Sequence, residues 1–227
     1  GMVRNPPIVA PLDERRYVVL DGANRVSALR RLGVPDVVVQ VVDYARVTLN
    51  TWYHLVTGVP VEDLERGLAQ LPGLTLRPSD LAAARSALTD GRCIAFVAHP
   101  DGSVTQLEAG GDLAARTALL RQVVRLYKGR ANIHRVQTDE LSGLLPFYTQ
   151  IAGLVVFPSY RPADILAMAR QDAKLPSGIT RHLIPLRALR VNTELDLLWS
   201  DTLRAEKNRW LAEWTRHKLQ DRQIRFY

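Results

Sequence analysis

The stretch "VVLDGANRVSALRRLGVPDVVVQVVDY", residues 18–44, joins two β-rich runs through a tight turn and a short basic amphipathic segment. Its reading decides the fold. A strand that ends in Asp21-Gly22 and runs straight into a helix leaves the first backbone N–H groups of that helix without intrahelical acceptors. The helix is predicted over residues 24–32. Val26, Leu29 and Leu32 lie on one side and Arg30 and Arg31 on the other, with Gly33 and Pro35 as stop signals. Such a helix start favours an anion: Gly22 lets the backbone approach closely, the helix dipole adds partial positive charge, and Ala23, Asn24 and Arg25 follow with backbone and side-chain donors. Asp21 is placed to hold a magnesium ion against the same anion, since magnesium takes one or two carboxylates together with substrate oxygens. A plainer reading fits these five residues equally well, with Asp21 as a cap, Gly22 as a turn and Arg25 as a solvated charge.

Working outward, residues 8–12 and 17–20 are rich in strand formers and flank a polar tetrapeptide, which predicts a hairpin. The apolar run 37–42 predicts a strand buried on both faces. Residues 47–53 alternate, which suggests a strand with Trp52 on its more polar side. In the middle of the chain, Ser79 is expected to cap a helix reaching residue 88, and Asp101-Gly102 to turn a hairpin of residues 93–98 and 103–107. Asp112 is expected to cap a helix reaching residue 127. A strand over 154–157 and a helix from Pro162 to about residue 172 follow. The segment "KLPSGITRHLIPL", residues 174–186, crowds Thr180, Arg181 and His182 just before an apolar run. Residues 200–220 predict a helix with an apolar stripe of Leu203, Trp210, Leu211 and Trp214.

Bulk properties narrow the function. The 227 residues are 47% hydrophobic, enough for an ordinary buried core. No run of about 18 apolar residues occurs and the first residues lack signal-peptide character, so a cytoplasmic protein is expected. A single cysteine, Cys93, permits no internal disulfide and is read as a buried strand residue; the five histidines lack metal-ligand spacing. The net charge of +7 favours an anionic partner, a nucleotide as readily as a nucleic acid.

The hairpin, the "LDGANRVSALRRLG" turn and helix, and the "VVVQVVDY" run resemble the ParB/sulfiredoxin-like fold. Together with "LNTWY" and "LPSGITRHLIPLRALRVNTEL", in the same order and at similar spacing, they resemble the free-serine kinases of that superfamily, over roughly residues 6–196. The resemblance implies an α/β protein. Its nucleotide-binding lobe would comprise residues 1–57 completed by 174–196, with a second α/β lobe over 58–173 and a basic amphipathic helix over 197–227. It further implies that Gly22, Ala23, Asn24 and Arg25 meet the phosphates of ADP or ATP, that Asp21 holds Mg2+, and that Trp52, Thr180, Arg181 and His182 shape the pocket of a small amino acid.

Two departures from the family pattern bear on activity. The family turn carries two histidines where this chain has Ala23 and Asn24, which should weaken phosphate binding. The kinases also carry an essential glutamate base ahead of the strand matching residues 8–12. Here the seven preceding residues hold no acidic side chain, and Glu14 lies beyond that strand in the hairpin turn. A chain of this kind is expected to bind its ligands yet activate a serine hydroxyl poorly, unless a longer natural N-terminus supplies the base. Three readings remain open: a nucleotide-dependent kinase of free L-serine or a similar hydroxy amino acid, a regulatory module that binds nucleotide or amino acid, and a ParB-like DNA-binding protein. The last rests mainly on charge, since residues 199–227 carry seven Lys or Arg against four Asp or Glu. Sulfiredoxin chemistry is excluded by Ala23, which stands where that family needs a cysteine.

Overall fold

The computed structural model describes residues 1–226 and divides into two compact units, Gly1–Thr48 with His182–Tyr227, and Leu49–Arg181. The first unit is assembled from both ends of the chain. Its strand Ile8–Pro11 pairs antiparallel with Tyr17–Asp21 and parallel with Gln40–Val41, so the sheet is mixed. Helix Ala23–Arg31 connects the two outer strands. The predicted strand over 37–42 is reduced to Gln40–Val41, and Val37 and Val41 are 38% and 52% exposed rather than buried on both faces. The cause is position: this is an edge strand, and its outer side is covered only locally, where the Gln40 side-chain amide donates to Leu186 O (2.8 Å) and accepts from Ala188 N (2.9 Å).

The C-terminal helix, Arg204–Gln220, belongs to this unit, and the expected apolar stripe is not what anchors it. Leu203 precedes the helix and is 69% exposed, whereas Lys207 is buried. The Lys207 ammonium donates to Asp36 Oδ2 (2.8 Å), Ser200 O (2.7 Å) and Leu198 O (3.3 Å), which fills all three of its donor positions. Lys207 and Arg204 together hold the Asp36 carboxyl below its ordinary pKa. Trp210 stacks on Trp214 at 5.1 Å, and Trp214 Nε1 donates to Val191 O at 3.2 Å.

The second unit is a six-stranded antiparallel sheet in the order Asn132–Val136, Tyr53–Thr57, Ile151–Val156, Ala95–Ala98, Val104–Ala109, Leu74–Ser79. Its central strand, Ile151–Val156, is buried along its whole length because both faces are covered. Val155 packs with Leu64, Leu68, Leu120 and Val123 from helices Val61–Ala69 and Leu113–Tyr127, while Leu154 and Val156 pack with Ala84, Phe96 and Leu141 on the opposite face. Asp112 caps the long helix as the sequence predicts, accepting from Ala115 N. At the helix Leu81–Thr89 the cap is Asp80, one residue later than expected, and Ser79 ends the preceding strand. Cys93 is buried, and burial pushes its thiol up to about 11, so it is an inert packing residue.

The boundary between units falls at 48/49 and 181/182 rather than at 57/58 and 173/174, because Tyr53–Thr57 is an interior strand of the large sheet and Ile179 belongs to that unit's core. Within the same core His54 is 2% exposed. Its Nε2–H donates to Gly178 O (3.3 Å), which leaves Nδ1 to accept from the Tyr127 hydroxyl (3.0 Å). No helix among the described residues is long and apolar enough to cross a membrane.

Candidate functional site

The turn is built as its sequence dictates. Strand Tyr17–Asp21 ends at Asp21, Gly22 takes a left-handed conformation (φ 87°, ψ 21°), and the helix begins at Ala23. A side chain at Gly22 would be strained there, and its Cβ would lie 3.0 Å from the Pro7 Cα and 2.8 Å from the Arg25 guanidinium. Val26 N closes the first turn on Gly22 O (3.0 Å). No side chain caps the helix and no acidic residue stands in its first turn, so the amides of Ala23, Asn24 and Arg25 face outward without an acceptor among the described residues. Ala23 and Asn24 are exposed. The start of the helix is therefore an electropositive, open cradle of backbone donors.

Arg25 occupies a different place from a free phosphate ligand. Its guanidinium donates to the carbonyls of Asn5 and Pro6 and to Asp21 Oδ2 (3.2 Å), fastening the segment ahead of the first strand to the turn. Asp21 Oδ2 also accepts from Arg187, a residue that sequence reasoning passed over although it stands within the quoted "IPLRALR". Two guanidiniums on one carboxylate oxygen neutralise the charge that would attract a cation, and no cluster of three or more His, Cys, Asp or Glu gathers among the described residues. As arranged, Asp21 does not fit a resident magnesium ion.

Beside this ion-pair cluster, within the same unit, lies an open cavity of about 470 Å³ lined by Arg46, Thr48, His182, Arg187 and residues 183–185. The His182 Nε2 is 2.9 Å from the hydroxyl of Tyr44, whose ring is buried. Burial holds the His182 imidazole below its ordinary pKa, against the opposing pull of the Asp21 carboxylate. Tyr44 and Arg46 form a single helical turn capped by Asp43, whose side chain accepts from Ala45 N (3.0 Å). Neither is marked by any local signature in the sequence.

The remaining sequence-predicted residues belong to the other unit, since the division runs between Arg181 and His182. The alternation over 47–53 is broken at Trp52, which separates strands Thr48–Thr51 and Tyr53–Thr57. Trp52 N donates to Ile179 O (2.8 Å), and the Arg181 guanidinium lies over the indole at 4.6 Å. This cation–π pair fixes both side chains without an anionic partner. Thr180 is half-buried in the strand Thr180–Leu183.

No family model matches the chain. Among solved structures, its fold is that of a free serine kinase in complex with AMP (TM-score 0.73, 16% identity, 87% of this chain and 80% of that one). The fold is also that of a C-terminally truncated SbnI from Staphylococcus aureus (TM-score 0.69, 24% identity, 96% of this chain and 84% of that one). The chain is thus a mixed α/β protein with the free-serine-kinase architecture. In sequence it is homologous to the ATP-dependent L-serine kinase SbnI of Staphylococcus aureus (strain NCTC 8325 / PS 47), with 27% identity over 201 residues, which span 88% of this chain and 72% of that protein.

Proposed function

We propose that this chain binds ADP or ATP at the turn Gly22–Arg25 and acts as a nucleotide-dependent kinase of free L-serine or a similar small hydroxy amino acid. The observation that carries the reading is the uncapped helix start after a left-handed glycine, in a chain whose homologue is an ATP-dependent L-serine kinase. In the reaction the serine Oγ bonds to the terminal phosphorus, the bridging oxygen leaves with the nucleotide, and the hydroxyl proton passes to a base. Backbone amides at the helix start hold the phosphates and offset the charge that spreads over their oxygens; positioning and charge neutralisation are most of what phosphoryl transfer requires. The resemblance assigns the amino acid to Trp52, Thr180, Arg181 and His182.

A second reading, a nucleotide-binding regulatory module without turnover, is favoured by one observation: Asp21, the acidic side chain of the turn, is engaged by Arg25 and Arg187 and is not free to serve as the base. DNA binding has less support, because Arg204 and Lys207 of the basic C-terminal helix engage Asp36 and Lys218 lies over Trp214.

Asn24→Asp tests the nucleotide site without disturbing the fold. An acidic residue in the first turn of an exposed helix is neutral or slightly stabilising, yet it faces the phosphates with a like charge. Calorimetry should show ADP affinity reduced about tenfold or more at unchanged melting temperature. Equal affinity of the variant and the parent would place the nucleotide elsewhere.

A further inference from the structure

We propose that a cavity of about 240 Å³ in the second unit is a docking site for a short segment of another protein, one that carries an apolar anchor flanked by lysine or arginine. The inference is independent of the kinase reading, because every residue it uses lies within Leu49–Arg181 and none belongs to the candidate site.

The lining is largely apolar. Ala98 and Val104, which pair across neighbouring strands, and Leu141 are buried in the core, and Leu81 of the helix Leu81–Thr89 packs against the same cluster. Leu145 also lines the cavity and is 43% exposed. Phe147, two residues on, is 79% exposed, more than any other large apolar side chain among the described residues. This is not the exposure of an unanchored loop. Leu144 N and Leu145 N both donate to Leu141 O (2.8 and 3.2 Å), Phe147 N donates to Leu144 O (3.0 Å), and Leu144 and Tyr148 pack against the core beside Leu141. The fold thus holds two apolar side chains in water beside an apolar hollow, a combination that marks an interaction surface.

Charge around the cavity determines the partner's chemistry. No lysine or arginine lines it, whereas Asp139 and Glu140 do. Arg85 donates to both Asp139 oxygens (2.7 and 2.8 Å) and to Glu140 Oε1 (3.2 Å), which leaves Glu140 Oε2 without a hydrogen-bond partner among the described residues. Asp101 lies between the lining residues Pro100 and Gly102, and Asp80 directly precedes Leu81, so four carboxylates stand against one guanidinium. Hydrogen bonds from Arg85 hold the Asp139 carboxyl below its ordinary pKa, and those from Ser103 do the same for Asp101, so both are ionised at neutral pH. In a chain of net charge +7 this rim is locally negative. An apolar hollow ringed by carboxylates disfavours acidic partners and suits a leucine or aromatic anchor with cationic neighbours.

The test is a selection of random peptides displayed on phage against the immobilised full chain, followed by calorimetry of the enriched peptides. Enriched sequences should carry leucine, phenylalanine or tryptophan next to lysine or arginine. Phe147→Ala should weaken their binding about tenfold or more, and Glu140→Gln severalfold with a shallower dependence on salt. Both side chains are exposed, so the melting temperature and ADP affinity of the variants should equal the parent's. Failure to enrich any class of sequence, enrichment of acidic peptides, or equal affinity of the parent and both variants would overturn the docking site. Concentration-dependent self-association of the parent in sedimentation, abolished by Phe147→Ala, would also overturn it, by giving this face to a second copy of the chain.

Discussion

Residues 1–227 should bind ADP or ATP and yet form O-phosphoserine from free serine about a hundred- to ten-thousand-fold more slowly than an otherwise equal enzyme with a positioned general base, the usual contribution of such a group. The expectation comes from the chain itself. The serine hydroxyl is a weak nucleophile until its proton is taken, and residues 1–7 carry no carboxylate to take it. Asp21 is no substitute, since Arg25 and Arg187 both bond its Oδ2. Glu14 sits in the hairpin turn beyond that strand. The check is phosphoserine production at fixed nucleotide, magnesium and serine concentrations, by this chain and by forms extended at the N-terminus with an acidic segment. Brisk turnover by residues 1–227 would show that a base lies elsewhere in the chain. Restoration of activity by the extended form, and its loss when the added acid is replaced, would identify what the chemistry needs.

The second large effect concerns stability in acid. His54 is buried between Tyr127, Phe157 and Gly178, and desolvation lowers its pKa from the ordinary value to about 4. In the unfolded chain the same imidazole titrates near 6.5. Between these values the unfolded state takes up a proton that the folded state refuses, so stability is full above about pH 6.5 and falls as the pH drops toward 4. The slope is about 1.4 kcal/mol per pH unit and the total about 3 kcal/mol. Urea denaturation at pH 7 and pH 4.5 should show this loss. His54→Asn should be less stable at neutral pH, because Tyr127 loses a partner of the right shape, and should show a flatter dependence over the same window. Equal slopes for the two proteins would mean that His54 is not the group that titrates.

How far the sequence carried the fold can be seen at individual residues. The turn was legible because its chemistry is local: a strand ending in Asp-Gly, then a helix with its apolar residues on one side, fixes the left-handed Gly22 and the uncapped amides with no help from distant contacts. The hairpin at Asp101-Gly102 and the cap at Asp112 were legible for the same reason. The run 37–42 was misread because apolar composition alone cannot tell a buried strand from an edge, and the Gln40 amide that covers this edge binds residues nearly 150 positions away. Lys207 carries no signal in the sequence, where a lysine is expected in solvent; only the fold brings Asp36 and two carbonyls to it.

At the candidate site the same limit applies. Asp21 and Arg25 lie in the turn, but their partners, the Asn5 and Pro6 carbonyls and Arg187, come from 15 or more positions away. A sequence shows that an arginine is present and leaves open whether its guanidinium faces a ligand or a backbone carbonyl. Arg187 and Tyr44 carry no local signature at all; they become significant only when the two ends of the chain form one unit.

The most direct measurement of the central claim is a titration of the ¹⁵N-labelled chain with ADP, followed through the backbone amide resonances. The expected result is saturable binding with the largest shifts at the amides of Ala23, Asn24 and Arg25, the donors that the uncapped helix start leaves open. Saturable binding that leaves those three amides unmoved, or no binding at millimolar ADP, would contradict it.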